Sequence, residues 1–242
     1  MIAVIVFTDG RDGCLADTIA SFAARVTATQ PVVRWIHDDT GDPAHRRRLK
    51  RDYPGWRVIP DEPRARRAGF AGAIARAWET VVRADVDYVF HLEDDFTMNR
   101  PVHLDDLAAV LDHAPHLLQV ALRRQPVNAA EFAAGGVVEM WPDEYEERSL
   151  VRVVTGRPDV QPGDLPEVER LAWLEHRLFF TTNPSLYRAS LCAQGWPVVD
   201  RSEAEFARRC LADPDARFGY WGARDSGEAV EHIGNHRVGT GY

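Results

Sequence analysis

Three consecutive acidic residues are the part of the chain best suited to binding a charged ligand. Glu93, Asp94 and Asp95 follow residues 86–92, an apolar run that predicts a buried strand of a parallel sheet. Open α/β folds bind their ligands at the carboxyl ends of such strands. Carboxylate oxygens suit Mg²⁺ or Mn²⁺, and these cations in turn hold diphosphates. A short acidic stretch also occurs simply where a strand ends in solvent, so the triplet alone does not establish a site.

The first and second predicted strands also end in polar and charged residues. These are Thr8, Asp9 and Arg11 after the first strand, and Asp38 and Asp39 after the second. Because the carboxyl ends of parallel strands share one edge of a sheet, we expect the three strand ends to converge. Two acidic clusters at one edge repel each other unless a cation or an amine-rich ligand lies between them. Taken alone, residues 38–41 are more typical of a turn or a helix cap.

The elements that must position these residues alternate between strand and helix. Strands are predicted at residues 2–7, 32–37, 56–59, 86–92 and 117–122, and helices around residues 15–26, 43–52, 69–81 and 104–111. Repeated strand–helix–strand units imply right-handed crossovers and a parallel sheet. The helix over residues 69–81 opens at Gly69 with small residues, which let its backbone approach a ligand closely.

The alternation weakens beyond residue 125. We predict irregular structure and short strands over residues 125–175, because proline and glycine are scattered through this region. Later strands are predicted at residues 177–182, 216–221 and 229–233, and later helices at residues 184–194 and 202–211. Neither an internal repeat nor a low-complexity linker interrupts the sequence, so we expect a single domain over residues 1–242.

Composition and charge exclude several classes of protein. With 45% hydrophobic and 27% charged residues, the 242-residue chain falls among ordinary globular proteins with a sizeable core. The net charge of −8 argues against a general affinity for nucleic acid or anionic membranes. Residues 46–51 and 64–67 are basic runs, and we interpret the first as the solvated face of a helix.

The cysteines and the start of the chain bear on its compartment. Cys14, Cys192 and Cys210 are widely spaced, so we expect free thiols in a reducing compartment, the cytoplasm. Residues 1–7 are apolar but lack a basic leader, which predicts a first strand and not a signal peptide. No apolar run reaches the roughly 18 residues that a membrane-spanning helix needs.

Four segments occur in a fixed order along the chain. They are residues 4–11 (VIVFTDGR), 35–41 (WIHDDTG), 69–73 (GFAGA) and 91–95 (HLEDD). Their order resembles the GT-A-fold, family 2-like glycosyltransferases. The resemblance implies an α/β fold with a mainly parallel central sheet flanked by helices and a smaller mixed C-terminal part. It also implies a nucleotide-binding half at residues 1–100 and an acceptor-binding half at residues 101–242, which ends in a metal or lid segment.

Roles for the strand-end residues follow from the resemblance. Asp39 is implied to contact the base or ribose of a nucleotide. Family members carry an Asp-x-Asp motif after the fourth strand, where Asp95 is the implied ligand of Mn²⁺ or Mg²⁺ and Glu93 departs from the usual aspartate. The residues predicted to bind the donor nucleotide are Thr8, Asp9, Arg11, Asp39, Gly69, Glu93 and Asp94. The cation would neutralise the diphosphate as the sugar–oxygen bond breaks.

A downstream acidic helix is the predicted source of a catalytic base. Residues 202–209 fall where the family has its acidic base motif, which puts Glu203 in the place of the base and Glu205 in reserve. A carboxylate there accepts the proton of an acceptor hydroxyl as the hydroxyl oxygen attacks the anomeric carbon. The alternative is an exposed helix face on which Glu203 only stabilises the first turn.

A late histidine completes the metal site in many GT-A enzymes. His232 and His236 both fall at the matching place in this chain. Imidazole favours transition metals, so either residue as a ligand would favour Mn²⁺ over Mg²⁺. A purely structural role is the alternative for each. The glycines of residues 222–234 predict a loop that closes over the donor.

The combined prediction is a metal-dependent glycosyltransferase of the hexosyltransferase type. It would move a sugar from a nucleotide-diphosphate sugar to a hydroxyl of a glycan or protein acceptor, with inversion if Glu203 is the base. One alternative is a sugar nucleotidyltransferase, although residues 10–13 are a poor match to its glycine-rich loop. Another alternative is a non-catalytic module that binds nucleotides or sugars. Neither the donor sugar nor the oligomeric state follows from the sequence.

Overall fold

The computed structural model describes residues 1–60, 66–153 and 168–234. The strands are β1 (Ile2–Thr8), β2 (Val26–Thr27), β3 (Val32–Asp38), β4 (Arg57–Ile59), β5 (Tyr88–Glu93), β6 (Phe96–Met98), β7 (Val102–His103), β8 (Leu117–Ala121), β9 (Glu146–Val153), β10 (Val168–His176), β11 (Ser185–Arg188), β12 (Arg217–Trp221) and β13 (Val230–His232). The α-helices are α1 (Asp12–Arg25), α2 (Pro43–Asp52), α3 (Gly69–Val82), α4 (Leu104–His113), α5 (Ala129–Ala134) and α6 (Ser202–Cys210). Short 3₁₀ helices cover Pro142–Glu144 and Ala189–Gln194.

Among the described residues, nine strands form one mixed sheet in the order β4-β3-β1-β5-β11-β8-β12-β10-β9. Strands β4, β3, β1 and β5 run parallel, so their carboxyl ends share one edge. Strand β11 is antiparallel to both β5 and β8, whereas β12 is parallel to β8. Strand β10 is antiparallel to β12 and β9. The predicted α/β architecture, with a parallel part and a mixed C-terminal part, is confirmed.

Strand β1 is buried along its whole length. Its side chains alternate between the two faces of the sheet. Val4 and Val6 pack in a core that also contains residues of α1 and α4. Ile5 and Phe7 pack in a second core with residues of α3 and α6. Burial of each such side chain contributes roughly 1.5–3 kcal/mol, so the end of β1 at Thr8 is firmly held.

Residues 177–194 differ from the prediction. The predicted strand at residues 177–182 does not form, and the predicted helix at residues 184–194 is β11 followed by a 3₁₀ helix. In β11, Ser185, Leu186 and Tyr187 are fully buried between β5 and β8. This stretch is a strand because two partners distant in sequence pair with it, and local periodicity carries no information about those partners.

Residues 125–175 contain more regular structure than predicted. Strands β9 and β10 pair in antiparallel register from Glu146 opposite Glu175 to Val153 opposite Val168. Leu171 and Trp173 of β10 alternate into the main core, and this alternation stabilises the pair. Asn128 caps α5, because its side chain accepts a hydrogen bond from the Glu131 amide at 3.0 Å.

Two expectations concern membrane spans and thiols. No helix among the described residues is long and apolar enough to cross a membrane. Cys14, Cys192 and Cys210 are all free, and burial raises the pKa of the Cys210 thiol to about 11. The buried thiols are therefore protonated at neutral pH, which makes them poor nucleophiles.

Candidate active site

A cavity of about 590 Å³ opens at the carboxyl ends of β1, β3 and β5. It is bounded by the start of α3 and by the segment that leads into α6. Its lining consists of Phe7, Thr8, Asp9, Arg11, His37, Asp39, residues 67–74, His91, Glu93 and residues 198–203. The volume lies in the range typical of small-molecule sites.

The cavity gathers most of the predicted site residues and leaves others outside. Those that line it are Thr8, Asp9, Arg11, Asp39, Gly69, Glu93 and Glu203. Asp94, Asp95, Glu205 and His232 do not belong to the lining. His236 lies outside the described residues. The strand ends and the acidic helix, more than a hundred residues apart in sequence, thus meet at one site.

The side chains of the acidic triplet point in different directions, and Asp94 is the most buried of the three. Its carboxylate accepts a hydrogen bond from the Thr8 hydroxyl at 2.7 Å and forms an ion pair with Arg11. Burial raises the pKa of Asp94 to about 7. Asp94 is fully buried and positions Thr8 and Arg11. Since it does not belong to the cavity lining, its contact with a nucleotide stays a prediction.

Asp95 lies beside His232, as the prediction of a shared metal site requires. The His232 Nε2 atom is 3.0 Å from Asp95 Oδ2, and Arg11 forms an ion pair with the same carboxylate. Burial acts to raise the pKa of Asp95, but His232 and Arg11 outweigh burial and lower it. Asp95 Oδ1 is buried and has no hydrogen-bond partner within the part of the chain that the structure describes.

Long-range pairing brings His232 to this position. Strand β13 pairs with β6, which places His232 opposite Phe96, directly after Asp95. The Gln125 side chain binds both backbone groups of His232, accepting from its N–H at 2.9 Å and donating to its carbonyl at 3.0 Å. A Cβ atom on Gly234 would lie 2.1 Å from Asp95 Oδ2, so only glycine allows this approach. Sequence reasoning missed Gln125, which no local pattern distinguishes.

Asp39 contacts the start of α3 with both of its carboxylate oxygens. Oδ1 accepts from the Ala68 amide at 2.8 Å and Oδ2 accepts from the Gly69 amide at 2.9 Å. Burial raises the pKa of Asp39, while these two hydrogen bonds lower it. Gly69 has a φ of +71°, a conformation that favours glycine. Asp39 and Gly69 therefore shape the cavity wall, in addition to any contact with a ligand.

The carboxylates of Glu93 and Glu203 both line the cavity, and the charge of Glu93 acts on Glu203. Burial raises the pKa of Glu203, and the Glu93 carboxylate adds to this effect. Glu203 Oε1 accepts from the Thr182 amide at 2.7 Å and from the Thr182 hydroxyl at 2.9 Å. Nε2 of His91 is 3.9 Å from Glu93 Oε1, and burial lowers the pKa of His91 to about 3. Burial raises the pKa of Glu93 to about 7, and the Asp95 carboxylate adds to this effect while His232 opposes it. Glu93 therefore interacts electrostatically with both the predicted base and the Asp95–His232 pair.

Glu205 has a different environment from Glu203. It accepts hydrogen bonds from Arg208 at 2.9 Å and from Arg209 at 3.0 Å, at the protein surface. These arginines lower the pKa of Glu205 to about 2. Residues two apart in a helix point in nearly opposite directions, because each residue turns the helix by about 100°. Glu205 therefore points away from the cavity that Glu203 lines.

An aromatic cluster joins α6 to α3 and sets the position of Glu203. The cluster consists of Trp78, Phe180, Tyr187, Trp196 and Phe206. Phe206, one turn after Glu203, has its ring centroid 5.1 Å from that of Trp78 and 4.9 Å from that of Trp196. Phe206 is fully buried, so the first turn of α6 is firmly anchored against the second core.

Comparison with known proteins places this geometry among solved folds. Neither a protein-family model nor a curated protein matches the chain. The structure of S. aureus TarS 1–349 in complex with UDP-GlcNAc is similar to this chain, at a TM-score of 0.55 and 16% identity. The similarity covers 98% of this chain and 61% of that chain. A second similar structure is that of the mannosyltransferase PcManGT from Pyrobaculum calidifontis in complex with GDP-Man and Mn²⁺, at a TM-score of 0.51 and 14% identity. The similarity covers 94% of this chain and 58% of that chain.

The chain has the GT-A fold. At these identities the likeness is one of fold alone, and the chain spans only 58% to 61% of the length of these two proteins. In the GT-A frame, the cavity lies at the carboxyl edge of the parallel strands, and α6 brings a carboxylate to it from the C-terminal half.

The acidic region of this GT-A chain fits a divalent cation that arrives with a phosphate ligand. Among the described residues, no group of three or more His, Cys, Asp or Glu side chains is arranged to hold a metal. Asp95 and His232 nevertheless offer two ligands, and Asp95 Oδ1 is free of hydrogen bonds to the rest of the described chain. Mg²⁺ sites commonly take one or two carboxylates and complete their shell with phosphate oxygens and water.

Replacing Thr182 by valine is expected to shift the rise of kcat with increasing pH to higher pH values. Both Thr182 hydrogen bonds favour the ionised form of Glu203, so the loss of the hydroxyl raises the pKa of Glu203. If Glu203 is the base, as predicted, activity appears only above its pKa, because a base must be deprotonated to act. The measurement is kcat against pH, and Thr182→Ser, which keeps the hydroxyl, should retain the wild-type profile. Identical profiles for Thr182→Val and the wild type would contradict this role.

Proposed function

We propose that the chain transfers a hexosyl group from a nucleotide-diphosphate sugar to an acceptor hydroxyl, in a metal-dependent reaction that inverts the anomeric centre. The observation that carries the proposal is the shared cavity, in which the strand-end residues and the partly buried Glu203 line one space of about 590 Å³. The fold adds support, since one neighbour is in complex with UDP-GlcNAc and another with GDP-Man and Mn²⁺.

In this mechanism Glu203 is the general base. Its carboxylate takes the proton of the acceptor hydroxyl while the hydroxyl oxygen forms a bond to the anomeric carbon. The bond from that carbon to the diphosphate oxygen breaks on the opposite face, and its electron pair stays with the diphosphate. Arg11 and Arg67 line the cavity and add positive charge there. Asp95 and His232 would hold a divalent cation, which would supply further neutralisation of the leaving diphosphate.

Incubation with a panel of nucleotide sugars and Mn²⁺ tests the proposal. Slow release of nucleoside diphosphate without acceptor, and faster release with acceptor, is the expected result. Formation of pyrophosphate from a nucleoside triphosphate and a sugar phosphate would identify a nucleotidyltransferase instead. Binding of the nucleotide sugars without turnover would identify a non-catalytic module. Omission of Mn²⁺ and addition of a chelator test the metal dependence.

Replacing Arg11 by glutamine is expected to lower the free energy of unfolding and to increase stabilisation by Mn²⁺. Arg11 pairs with Asp94 and Asp95, which are both buried, so its loss removes the arginine charge that compensates both carboxylates and leaves Asp95 with His232. The expected cost is about 3 kcal/mol. Mn²⁺ should recover more of this loss than it adds to the wild type, because Arg11 no longer competes for Asp95 Oδ2.

The measurement for Arg11→Gln is thermal or chemical unfolding with and without Mn²⁺. Arg48→Gln is a matched control, because Arg48 pairs at 3.2 Å with Asp12, which is more than half exposed. The control should change stability by less than about 0.5 kcal/mol. Equal stabilisation of Arg11→Gln and the wild type by Mn²⁺ would show that Arg11 and the cation do not share a site.

We also propose that the protein acts in a reducing compartment, the cytoplasm. The proposal is supported by Cys14, Cys192 and Cys210, which form no disulfide. Fractionation of cells that express the chain tests the compartment directly.

A further inference from the structure

Two exposed valines line the cavity shortly before Glu203 in the chain. Val198 is 64% exposed and Val199 is 51% exposed. Seven large apolar side chains are exposed among the described residues, and these are the only two of them that line the cavity. They are also the only two that are adjacent in sequence. Apolar surface at the mouth of a cavity commonly marks a ligand site.

The chain on both sides of the valines is anchored. Trp196 is buried, with its ring centroid 5.2 Å from that of Trp78 in α3. Ser202 is buried at the start of α6. Arg201, between them, has a φ of +55° and is the only described residue other than glycine with a positive φ. A strained backbone persists only where its surroundings hold it, so the chain is fixed at Arg201, two residues after Val199.

The apolar character extends from the valines onto α3. Ala71, Ala73 and Ile74 of this helix also line the cavity. The charged lining comes mainly from the strand ends, which provide Asp9 and Arg11 among other groups. The cavity therefore combines charged surface suited to a diphosphate with apolar surface suited to a different chemical group.

We propose that Val198 and Val199 form an acceptor subsite, and that the acceptor carries an alkyl or aryl group next to its reacting hydroxyl. The inference rests on the proposed function, because it takes Glu203 as the base. The acceptor hydroxyl must come within hydrogen-bond reach of Glu203, so the group beside it lies near the segment that leads into α6. Burial of both valines is favourable only if that group is apolar.

The charges beside the valines are of both signs. Asp200, Arg201 and Glu203 belong to the same segment of the lining, so this segment does not favour an acceptor of one charge. The exposed valines are the feature that distinguishes this part of the cavity.

Pairs of acceptors that differ only in the aglycone test the proposal. A set of methyl glycosides and the matching n-octyl glycosides, below their micelle concentration, is offered with the donor that the nucleotide-sugar panel identifies. For at least one sugar, kcat/KM is expected to be about tenfold or more higher for the octyl than for the methyl glycoside. If no octyl glycoside is preferred to its methyl partner, the subsite proposal is overturned.

A double variant assigns the preference to the two valines. Val198→Ser with Val199→Ser should reduce kcat/KM for the octyl glycoside about tenfold more than kcat/KM for the matching methyl glycoside. Val82→Ser is the matched control, since Val82 is 55% exposed at the end of α3 and does not line the cavity. An equal loss in the control, or no loss in the double variant, would contradict the proposal.

A binding measurement tests the subsite without requiring turnover of a donor. Saturation-transfer NMR should detect contact between the wild-type protein and the alkyl protons of n-octyl β-glucoside, and the double variant should lose this contact. If no nucleotide sugar is cleaved, the proposed function fails, while the NMR result still decides on the subsite. If nucleotide is released but the NMR experiment detects no contact with the alkyl protons, the transferase proposal stands and the subsite proposal fails.

Discussion

Replacing Glu203 by glutamine is expected to remove glycosyl transfer while donor binding is retained. Glutamine keeps the size of the side chain and its capacity to accept from Thr182, but it cannot take a proton. Loss of a general base typically reduces kcat by roughly 10²- to 10⁴-fold. The measurements are kcat with a saturating acceptor, and the Kd of the nucleotide by calorimetry, which should stay within about twofold of the wild type.

Glu205→Gln provides the matched control for the base. Glu205 lies two residues away in the same helix, but it binds Arg208 and Arg209 outside the cavity. Its substitution should leave kcat within about twofold, because the lost contacts are exposed ion pairs of small energetic value. Full activity in Glu203→Gln would show that Glu203 is not the base. Loss of activity in Glu205→Gln alone would assign the base to Glu205 instead.

Replacing Asp95 by asparagine is expected to abolish Mn²⁺-dependent nucleotide binding and to reduce kcat by about 100-fold or more. Asparagine keeps the shape of the side chain but loses the charge that a divalent cation requires. It also alters the contacts with His232 and Arg11, which lie on the same carboxylate. Calorimetry with a nucleoside diphosphate, in the presence and absence of Mn²⁺, measures the effect on binding.

The outcome for Asp95→Asn is compared with Asp52→Asn, an exposed position at the end of α2. Asp52 pairs with Arg51 at 2.7 Å on the surface, so its substitution should change neither metal nor nucleotide binding. Wild-type Mn²⁺ dependence in Asp95→Asn would remove Asp95 from the metal site. Thermal unfolding of both variants separates a loss of binding from a loss of folding.

The sequence was most informative where the hydrophobic pattern of a segment and the rules of parallel-sheet topology agree. The apolar runs before Thr8, Asp38 and Glu93 predict buried strands, and parallel pairing brings their ends to one edge. It was least informative between residues 177 and 194, where β11 inserts antiparallel between β5 and β8. Those partners lie about 65 to 100 residues away in sequence, so no local periodicity specifies the pairing.

The amino-acid sequence by itself determined the parallel half of the fold and the candidates for chemistry, because side-chain period and strand-end composition are local properties. Only the tertiary structure separated those candidates. Asp94 is buried against Thr8, whereas Asp95 meets His232 through the pairing of β13 with β6. Glu203 and Glu205 look alike in sequence, but the packing of α6 and the contact with Thr182 bring only Glu203 into the cavity. The physical reason is that burial and long-range contacts decide which carboxylate faces a ligand, and both depend on the whole fold.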